Sequence, residues 1–541
     1  MDLDLNPFYI ALYPEIHHTF DLFFSRLRHS QPEILVDCPH RIDPGKTIPL
    51  LCLVKHANTF PIVFQSVLVE MEYEDGIQEK KLVWNSPEYT QNYLWFRVFH
   101  LEPKRDYSGD VLITARIQTE RDGCINSIVN HNYRGIKKLP LKVHIGREPL
   151  PSHENWYYGE SHYHSFHSDD QVEFGAPIKA TVEMAEALGL KWLAVTDHSY
   201  DLDDLYSHTL YHDENLLKWK TLKEEIEAIN SNAHFQVIPG EEISCGNARN
   251  KNVHLLAYGI ENFIPGKGDG AEKWFRTRPD LPLGDVLKKV KAEGGVAYAS
   301  HPEVRFTLGE RFMLRRGHWE DADYNLPDYC GLQFWNGKQD KAFYEGYKQW
   351  VEMLLKGRRL FFIGGDDSHG DFNVFRQIRV PLLKMIHSPH KVFGKIRTCL
   401  YCKEGLSQQS ILQALKNGTS FVTSGPFITC YAITDQGGRA SVGGEISGTE
   451  ITVYITAKST DEYGDITNIR LYEGNLRDRI EKHREFYPRS HFHDPKNITL
   501  KGIPLQVKGP LYIRLEAVSR KGKESYYAYT NPIWLNPTSI R

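Results

Sequence analysis

The sequence predicts an α/β protein in which a barrel-like unit of alternating strands and helices lies between two β-rich regions. Two observations lead to this prediction. Strand-like and helix-like segments alternate between residues 151 and 427, which is typical of a mostly parallel sheet or barrel. Short β-rich runs separated by turn residues come before and after this stretch, and such runs are typical of β-sandwiches.

Four segments follow in chain order. Residues 1–30 are predicted to form a helical lead-in, because Phe20, Phe23 and Leu27 fall on one stripe. Residues 31–150 are predicted to form an N-terminal β-sandwich, with β-rich runs such as 47–55 and 111–119. The barrel-like unit covers 151–427, and a second β-sandwich covers 428–541.

Helix and strand signals are clear within the barrel-like unit. At 177–188, Pro177 fits the first turn of a helix, Ile178, Val182 and Leu188 share one apolar stripe, and Gly189 ends it. Three further helices are predicted at 283–293, 343–356 and 406–416. Seven strands are predicted at 156–164, 192–198, 235–243, 253–258, 296–301, 331–336 and 360–364.

The composition is that of an ordinary globular protein, with 41% hydrophobic and 25% charged residues. The net charge of −4 offers no bulk attraction to nucleic acid or anionic lipid. Apolar runs are far shorter than the roughly 20 residues of a spanning helix, and the first residues lack a signal-peptide pattern. We therefore expect a cytoplasmic protein with a small-molecule substrate and no membrane or bulk nucleic-acid partner; protein partners stay open.

The eight cysteines are scattered, which does not resemble a disulfide framework. Cys399 and Cys402 form one CxxC pair, but no second pair lies at zinc-ribbon spacing, and the segment around them alternates like a strand. We interpret all eight as reduced thiols. The 25 histidines are the unusual count, and their positions indicate the function.

Histidines and carboxylates collect where the predicted strands end. In barrels of this class the loops after the strands converge on one face, so these residues are expected to meet and form a multinuclear metal site. In the HxH pair, residues two apart on a strand point the same way and can bind one ion. Imidazole and carboxylate donors without thiolate suit Zn²⁺, Mn²⁺ or Fe²⁺. The candidate ligands at the strand ends are His162, His164, His198, Glu242, His254, His301, Asp367 and His369.

Each candidate ligand, considered alone, could have a structural role instead of binding a metal. One HxH pair is weak evidence, and His254 begins an apolar run in which a buried structural histidine is the ordinary interpretation. Glu241 and Asp366 adjoin predicted ligands and should point to the other side of their strands. Asp197 is expected to orient a neighbouring imidazole. Convergence of five such motifs favours the metal site.

The order of the motifs resembles the polymerase and histidinol phosphatase (PHP) superfamily over about residues 152–425. The series is HxH with a following Ser-Asp, then Thr-Asp-His, Gly-x-Glu, a lone His, His-Pro and Asp-x-His. The segments 157–164, 406–416 and 418–426 are similar to the carbaryl-hydrolase-like branch. This resemblance implies a distorted (β/α)7 barrel, which agrees with the seven predicted strands, flanked here by two β-sandwich domains.

The resemblance also implies a ligand set for two or three divalent ions. The first ion would be held by His162, His164, Glu242 and Asp367; the second by Glu242, His254 and His301; the third by Asp169, His198 and His369. Two departures from the family pattern stand out. Glu160 replaces the usual Asp before HxH, and Ser168-Asp169-Asp170 replaces Ser-Asp-Gly, which leaves Asp169, Asp170 or His167 as the ligand.

The predicted reaction is metal-assisted hydrolysis by a metal-bound hydroxide, with Asp367, Glu242 and His198 as catalytic residues. A phosphoester is the favoured substrate, and Arg305 and Arg376 are candidate cations for it. The alternatives are a carbamate, ester or amide substrate at the same site, or a binding scaffold without catalysis. Long insertions at 262–282 and 305–327 are candidate lids that select the substrate.

Overall fold

The computed structural model describes residues 31–133, 137–168, 175–206, 208–231, 234–269, 277–306, 308–373, 377–380, 383–386, 390–488 and 493–537. Over these residues the protein is a mixed α/β structure that consists mostly of sheet, with several sheets and few helices. The lead-in predicted at 1–30, together with Asp169, Asp170 and Arg376, lies outside the described residues.

The N-terminal strands form two sheets. One has the strand order β1-β3-β7, and the other has the order β2-β10-β8-β4-β5, with β6 beside β4 and β9 beside β8. Side chains from both sheets share one apolar core, because alternate residues of strands such as β8 point inward. The strands are β1 (Glu33–Asp37), β2 (Arg41–Ile42), β3 (Ile48–Lys55), β4 (Ile62–Tyr73), β5 (Gln78–Trp84), β6 (Glu88–Thr90), β7 (Leu94–Leu101), β8 (Gly109–Arg121), β9 (Cys124–Val129) and β10 (Leu141–Ile145).

The central part contains the helices and the strands that carry the candidate site. Its strands are β11 (Trp156–Tyr163), β12 (Trp192–His198), β13 (Asp204–Leu205), β14 (His208–His212), β15 (Gln236–Gly246), β16 (Asn252–Tyr258), β17 (Val296–Ser300), β18 (Gly331–Asn336), β19 (Phe361–Gly365), β20 (Gln377–Val380), β21 (Leu383–Ile386), β22 (Arg397–Tyr401) and β23 (Ser420–Thr423). Its helices are α1 (Ile178–Leu188), α2 (Ser199–Leu202), α3 (Leu217–Asn230), α4 (Leu283–Ala292), α5 (Leu308–Met313), α6 (Asp321–Tyr324), α7 (Lys341–Leu355) and α8 (Gln408–Asn417).

All seven predicted strands of the barrel-like unit are present, as β11, β12, β15, β16, β17, β18 and β19. They are neighbours in that order in one sheet. Four of the six contacts between them are parallel, whereas β16 runs antiparallel to both β15 and β17. The reversal of β16 places its first residues beside the last residues of the parallel strands, and this positions part of the candidate site.

The two outer strands of this set approach each other without forming a strand ladder over the described residues. The His164 N–H donates to Ser368 O at 3.0 Å, and the Asp367 N–H donates to His162 O at 3.0 Å. The sheet instead continues from β11 through β22 and β23 to β32. Over the described residues the strand pairing therefore gives a long mixed sheet, and it does not confirm the expected closed barrel.

The C-terminal strands are shared between two sheets. One has the order β25-β24-β27-β30, and the rest extend the central sheet through β32, β31, β28 and β29, with β33 and β26 at its side. The strands are β24 (Phe427–Thr434), β25 (Arg439–Ser441), β26 (Glu445–Ser447), β27 (Glu450–Lys458), β28 (Asp465–Asn475), β29 (Ile480–Phe486), β30 (Asn497–Gln506), β31 (Leu511–Lys521), β32 (Glu524–Thr530) and β33 (Ile533–Asn536).

The helices and cysteines agree with the sequence patterns. Helix α1 ends at Gly189, whose φ of 91° is a left-handed conformation that suits glycine. All eight cysteines are free thiols, and Cys399 lies in strand β22 as the alternation predicted. Among the described helices, none combines the length and the apolar character that crossing a membrane requires.

Candidate metal centre

Three overlapping clusters of donor atoms lie at one edge of the central sheet. In each cluster, the donor atoms lie within 4.8 Å of one another, and nearly all the residues are buried. The clusters are His162–His164–Glu242–Asp367, Glu242–His254–His301 and His164–His198–His369. Eight of the predicted ligands therefore meet in the structure, and Glu242 and His164 each belong to two clusters.

Strand ends bring these residues together. His162 is in β11, His198 ends β12, and His301 and Asp367 follow β17 and β19 within two residues. Two residues differ, since Glu242 lies within β15 and His254 lies near the beginning of β16. Because β16 is antiparallel to β15, His254 pairs with Ser244 and still faces the same edge of the sheet.

Glu242 is the centre of the arrangement. Its Oε1 lies 3.0 Å from His301 Nε2 and 3.1 Å from His254 Nδ1, and its Oε2 lies 3.1 Å from His198 Nδ1. The Ser300 hydroxyl donates to Oε1 at 2.6 Å. Burial would raise the pKa of Glu242, but the nearby histidines, led by His254, hold it well below its usual range.

Asp367 lies opposite Glu242. Its Oδ1 is 3.2 Å from His164 Nε2 and 3.5 Å from His162 Nε2. Its Oδ2 accepts a hydrogen bond from Asn336 Nδ2 at 3.0 Å and pairs closely with the ammonium group of Lys391. Burial opposes ionisation, yet Lys391 and His162 hold the pKa of Asp367 well below its usual range.

Backbone strain accompanies two of these positions. Asp367 has a φ of 51° and His301 a φ of 27°, both in the left-handed region that residues other than glycine seldom occupy. Such conformations cost about 1–3 kcal/mol each and are found mostly where function requires them. At both positions they turn a side chain into the clusters immediately after a strand.

The arrangement fits divalent metal ions. His162 Nε2 and His164 Nε2 are 3.1 Å apart, and two nitrogens bound to one ion at about 2.0–2.1 Å are separated by about that distance. Glu242 Oε2 is buried and accepts no hydrogen bond from the described residues, although two imidazoles face it. Converging nitrogen and carboxylate donors of this kind are those that a divalent cation site uses.

His254 is bound on both sides of its ring. Its Nε2–H donates to Asp269 Oδ2 at 2.8 Å, while Nδ1 faces Glu242. Burial would lower the pKa of His254, but the two carboxylates raise it to about 10. A metal ion at Nδ1 would require the ring to be without its Nδ1 proton, because histidine ligates metals in its neutral form.

Five candidate residues from the sequence either lie away from the clusters or fall outside the described residues. The His167 ring bonds the Tyr206 hydroxyl at 3.1 Å and lies 3.6 Å from Glu225, so it joins none of the three clusters. Asp169 and Asp170 lie outside the described residues, so only the three histidines of the third cluster are described. Arg305 is exposed and donates to Glu345 at 2.8 Å, and Arg376 is also outside the described residues.

The carboxylates beside the ligands have other partners. Asp197 was expected to orient an imidazole, but its two oxygens accept hydrogen bonds from the Ser165 N–H and hydroxyl at 2.6 Å each. It therefore fixes the loop that follows β11. Glu241 accepts from Ser199, and burial raises its pKa to about 8. As expected, it faces away from the clusters.

Glu160 also has a supporting position. Its Oε1 accepts hydrogen bonds from the backbone N–H groups of His162 at 3.0 Å and Asp366 at 3.1 Å. Burial and the charge of Asp366 raise the pKa of Glu160 well above its usual range. Glu160 therefore links the ends of β11 and β19 through its hydrogen bonds with backbone N–H groups.

Sequence reasoning missed Lys391, Asp269 and Arg316. Each lies in a connecting segment without periodic signal, 24 residues after Asp367 in the case of Lys391 and 15 residues after His254 in the case of Asp269. Asp269 and Arg316 lie in the two insertions, where they do not stand out from other charged residues such as Arg305, and Lys391 lies between β21 and β22.

Comparisons with known proteins add little to this geometry. No protein-family model matches the chain, and neither does any curated protein. A solved structure from Bifidobacterium adolescentis, provisionally designated a metal-dependent phosphoesterase, is 18% identical with a TM-score of 0.27. That match covers 39% of this chain and 87% of the other.

Two larger solved structures also match weakly. A glycosyl hydrolase family 2 member from Bacteroides cellulosilyticus is 11% identical with a TM-score of 0.18, covering 93% of this chain and 63% of that one. A β-glucuronidase from Parabacteroides merdae is 9% identical with a TM-score of 0.20, covering 94% and 64%. The chain thus spans less than two thirds of either glycosidase, and we base the functional inference on the site itself.

Proposed function

We propose that the protein is a metal-dependent hydrolase of the PHP type, whose substrate is a phosphoester. The observation that carries this proposal is the convergence of eight histidine, glutamate and aspartate residues, all but His301 buried, into three clusters that overlap at Glu242 and His164. The ordered motifs that suggested the superfamily are the same residues. A ring-shaped (β/α)7 barrel and the carbaryl-hydrolase-like branch remain expectations from the sequence.

The three clusters assign different residues to different metal ions. His162, His164 and Asp367 would hold the first ion, His254 and His301 would hold the second, and both ions would share Glu242 as a ligand. His198 and His369 would hold a third ion, with Asp169 as the expected carboxylate. Bound ions lower the pKa of water towards about 7 and stabilise charge that develops on the attacked group.

Neighbouring groups hold the ligands in place. Ser300 donates to Glu242 Oε1, and Asn336 donates to Asp367 Oδ2, so each bridging or terminal carboxylate has a fixed orientation. Burial keeps the pKa of His301 below its ordinary value, which favours the neutral ring that a metal needs. These contacts preorganise the site before substrate arrives.

Lys391 is the feature that favours an anionic substrate. Its ammonium group pairs with Asp367, and the side chain is 28% exposed, so it stands between the clusters and solvent. A phosphoester carries negative charge that such a cation attracts. Phe306 and Trp319 line a cavity beside His254 and His301, and its volume of about 10 Å³ has room for about one water molecule.

A carbamate, ester or amide substrate is the alternative at the same site. The ions would then polarise a carbonyl oxygen, and the apolar wall near His301 would contact the aryl group. This alternative needs no cation at Lys391, and that difference separates the two substrate classes.

The test compares chelator-stripped protein with protein reloaded with Mn²⁺ or Zn²⁺. Three chromogenic substrates are offered: 4-nitrophenyl phosphate, bis(4-nitrophenyl) phosphate and an aryl carbamate. We expect metal-dependent phosphoester turnover that Glu242→Gln and Asp367→Ala abolish. Asp285→Ala, at an exposed residue of α4 paired with Lys288, is the matched control and retains activity.

Each outcome decides between the candidates. Turnover of only the carbamate would replace the phosphoesterase by the alternative substrate class. Bound metal without turnover of any substrate would favour a non-catalytic binding scaffold. Failure of the wild-type protein to bind either metal would contradict the enzyme proposal altogether.

A further inference from the structure

Both insertions that are candidate lids contribute a charged residue beside His254. The first insertion, between β16 and α4, contributes Asp269, and the second, between β17 and β18, contributes Arg316. Arg316 Nε donates to Asp269 Oδ2 at 2.9 Å, and the same oxygen accepts from His254 Nε2 at 2.8 Å. A continuous path thus joins Arg316, Asp269, His254 and Glu242.

Asp269 is a carboxylate in an unusually buried position. Its side chain is fully buried, and a buried charge is costly unless it is paired and hydrogen-bonded. The Ser244 hydroxyl satisfies the second oxygen, Oδ1. Arg316 and Ser244 therefore bind one carboxylate oxygen each. These two contacts fix the carboxylate in the orientation in which Oδ2 also accepts from the His254 ring.

Asn252 ties the two insertions together beside this pair. Its side-chain amide donates to Thr277 O at 2.9 Å in the first insertion and to Leu314 O at 2.8 Å in the second. Its backbone carbonyl accepts from the Gly317 N–H at 2.9 Å. One buried residue, two positions before His254, thus holds both insertions beside the site.

The pairing selects one ring nitrogen of His254. Because an ionised carboxylate only accepts hydrogen bonds, the contact with Asp269 keeps a proton on Nε2. Nδ1 is then the nitrogen available as a ligand, and it is the one that faces Glu242 at 3.1 Å. A carboxylate that accepts a hydrogen bond from the non-ligating nitrogen of a metal-binding histidine orients the ring and raises the basicity of the ligating nitrogen.

We propose that Asp269 is a positioning residue that holds His254 for the second metal ion, and that Arg316 acts through Asp269. This inference rests on the proposed metal centre, whose first and third clusters it leaves unchanged. It assigns the insertions a role in metal affinity that their sequences did not indicate.

A purely structural salt bridge is the competing explanation, and it makes different predictions. If Asp269 and Arg316 only anchor the insertions, their loss lowers thermal stability while all ions bind as before. If Asp269 positions His254, one ion is weakened selectively and its ligand geometry changes. Metal titration and the visible absorption of bound Co²⁺ measure these effects without any assay of turnover.

The experiment titrates Co²⁺ into chelator-stripped wild-type protein, Asp269→Asn and Arg316→Gln. We expect Asp269→Asn to weaken one ion about 10–100-fold, as replacement of such outer partners typically does, and to change its visible spectrum. Arg316→Gln should produce a smaller shift in the same ion. Asp280→Asn and Arg311→Gln, exposed residues of the same two insertions, are the matched controls and keep wild-type titrations.

The outcomes separate this inference from the proposed function. Wild-type affinity and spectrum in both Asp269→Asn and Arg316→Gln would overturn the positioning role while the metal centre stands. Equal weakening of every ion would also overturn it, because only the second cluster contains His254. A wild-type protein that binds no Co²⁺ would overturn the metal centre and this inference together. Arg316→Gln keeps the test decisive if Asp269→Asn does not fold.

Discussion

At the scale of single residues, Lys391 places a positive charge against Asp367 at the edge of the candidate metal centre. It stabilises the ionised carboxylate, and its partly exposed ammonium group is available to an anion that approaches from solvent. The contribution of this charge should therefore depend on the charge of the substrate, which makes it a direct probe of substrate class.

We predict that Lys391→Met lowers kcat/KM for an aryl phosphomonoester about 10–100-fold, which corresponds to the roughly 1.5–3 kcal/mol of a hydrogen bond to a charged group. A neutral aryl carbamate should lose less than twofold. The same substitution removes the group that holds down the pKa of Asp367, so that pKa rises. Steady-state kinetics with both substrates measure the difference.

Two further variants test whether the kinetic effect of Lys391→Met comes from the loss of its charge near the site. Lys391→Arg retains the charge and should recover most of the phosphoester activity. Lys403→Met, at a lysine that is 78% exposed beside Glu404, controls for the loss of one positive charge. Equal losses with the charged and the neutral substrate would mean that Lys391 supports the site without selecting an anion.

At the scale of elements, helix α8 packs against the beginning of β19, the strand that leads to Asp367. The helix starts at Ser407, whose hydroxyl accepts from the Ser410 N–H, and ends at Gly418 with a φ of 62°. A Cβ added at Gly418 would lie 2.0 Å from the Phe361 ring. The glycine therefore meets both a conformational and a packing requirement.

We predict that Gly418→Ala lowers the free energy of unfolding by about 2–5 kcal/mol. About 1–2 kcal/mol comes from the left-handed backbone and about 1–3 kcal/mol from overpacking against Phe361. Gly405→Ala is the matched control, since Gly405 has a φ of 92° but no atom within 4 Å of its added Cβ. Chemical denaturation followed by circular dichroism should give a smaller loss for Gly405→Ala; equal losses would show that Phe361 moves aside freely.

The strands of the central sheet show how much of the fold the sequence predicts. The strand ends and the residue types of the site were predictable because HxH, Asp-x-His and Gly-x-Glu fall where alternating apolar runs stop. The direction of β16 was not predicted, because all seven of its residues are buried and show no alternation. Its connection to β15 is only five residues, too short for the dozen or more that a parallel crossover requires. That length was the available signal.

Helix α3 and the supporting charges were missed for related physical reasons. The residue before α3 is Leu216, with a φ of 51° and no capping side chain, and the cap comes instead from Asp213, which accepts from the Leu217 N–H at 2.9 Å. Asp269, Arg316 and Lys391 act through long-range contacts between irregular segments. Such contacts depend on how loops return to the sheet, which local periodicity does not encode.

At the scale of the whole molecule, Arg41 connects three parts of the chain. It lies in β2 of the N-terminal sheets, donates to Leu188 O at the end of α1, and donates through Nε to Glu462 at 3.1 Å, between β27 and β28. It also pairs with Asp43 at 3.0 Å, and its side chain is only 2% exposed. N-terminal, central and C-terminal segments thus share one buried guanidinium group.

We predict that Arg41→Ala lowers the free energy of unfolding by about 3 kcal/mol, because breaking a buried ion pair leaves its partners without compensation. Arg147→Ala is the matched control: Arg147 pairs with Asp461 at 3.5 Å across the same parts of the chain, but it is 74% exposed, so its loss should cost about 0–1 kcal/mol. Differential scanning calorimetry measures both, and it also reports whether the parts still unfold together. A single transition at the wild-type temperature in Arg41→Ala would show that apolar packing alone joins these segments, whereas separate transitions would show that Arg41 couples the β-rich regions to the sheet that carries the metal centre.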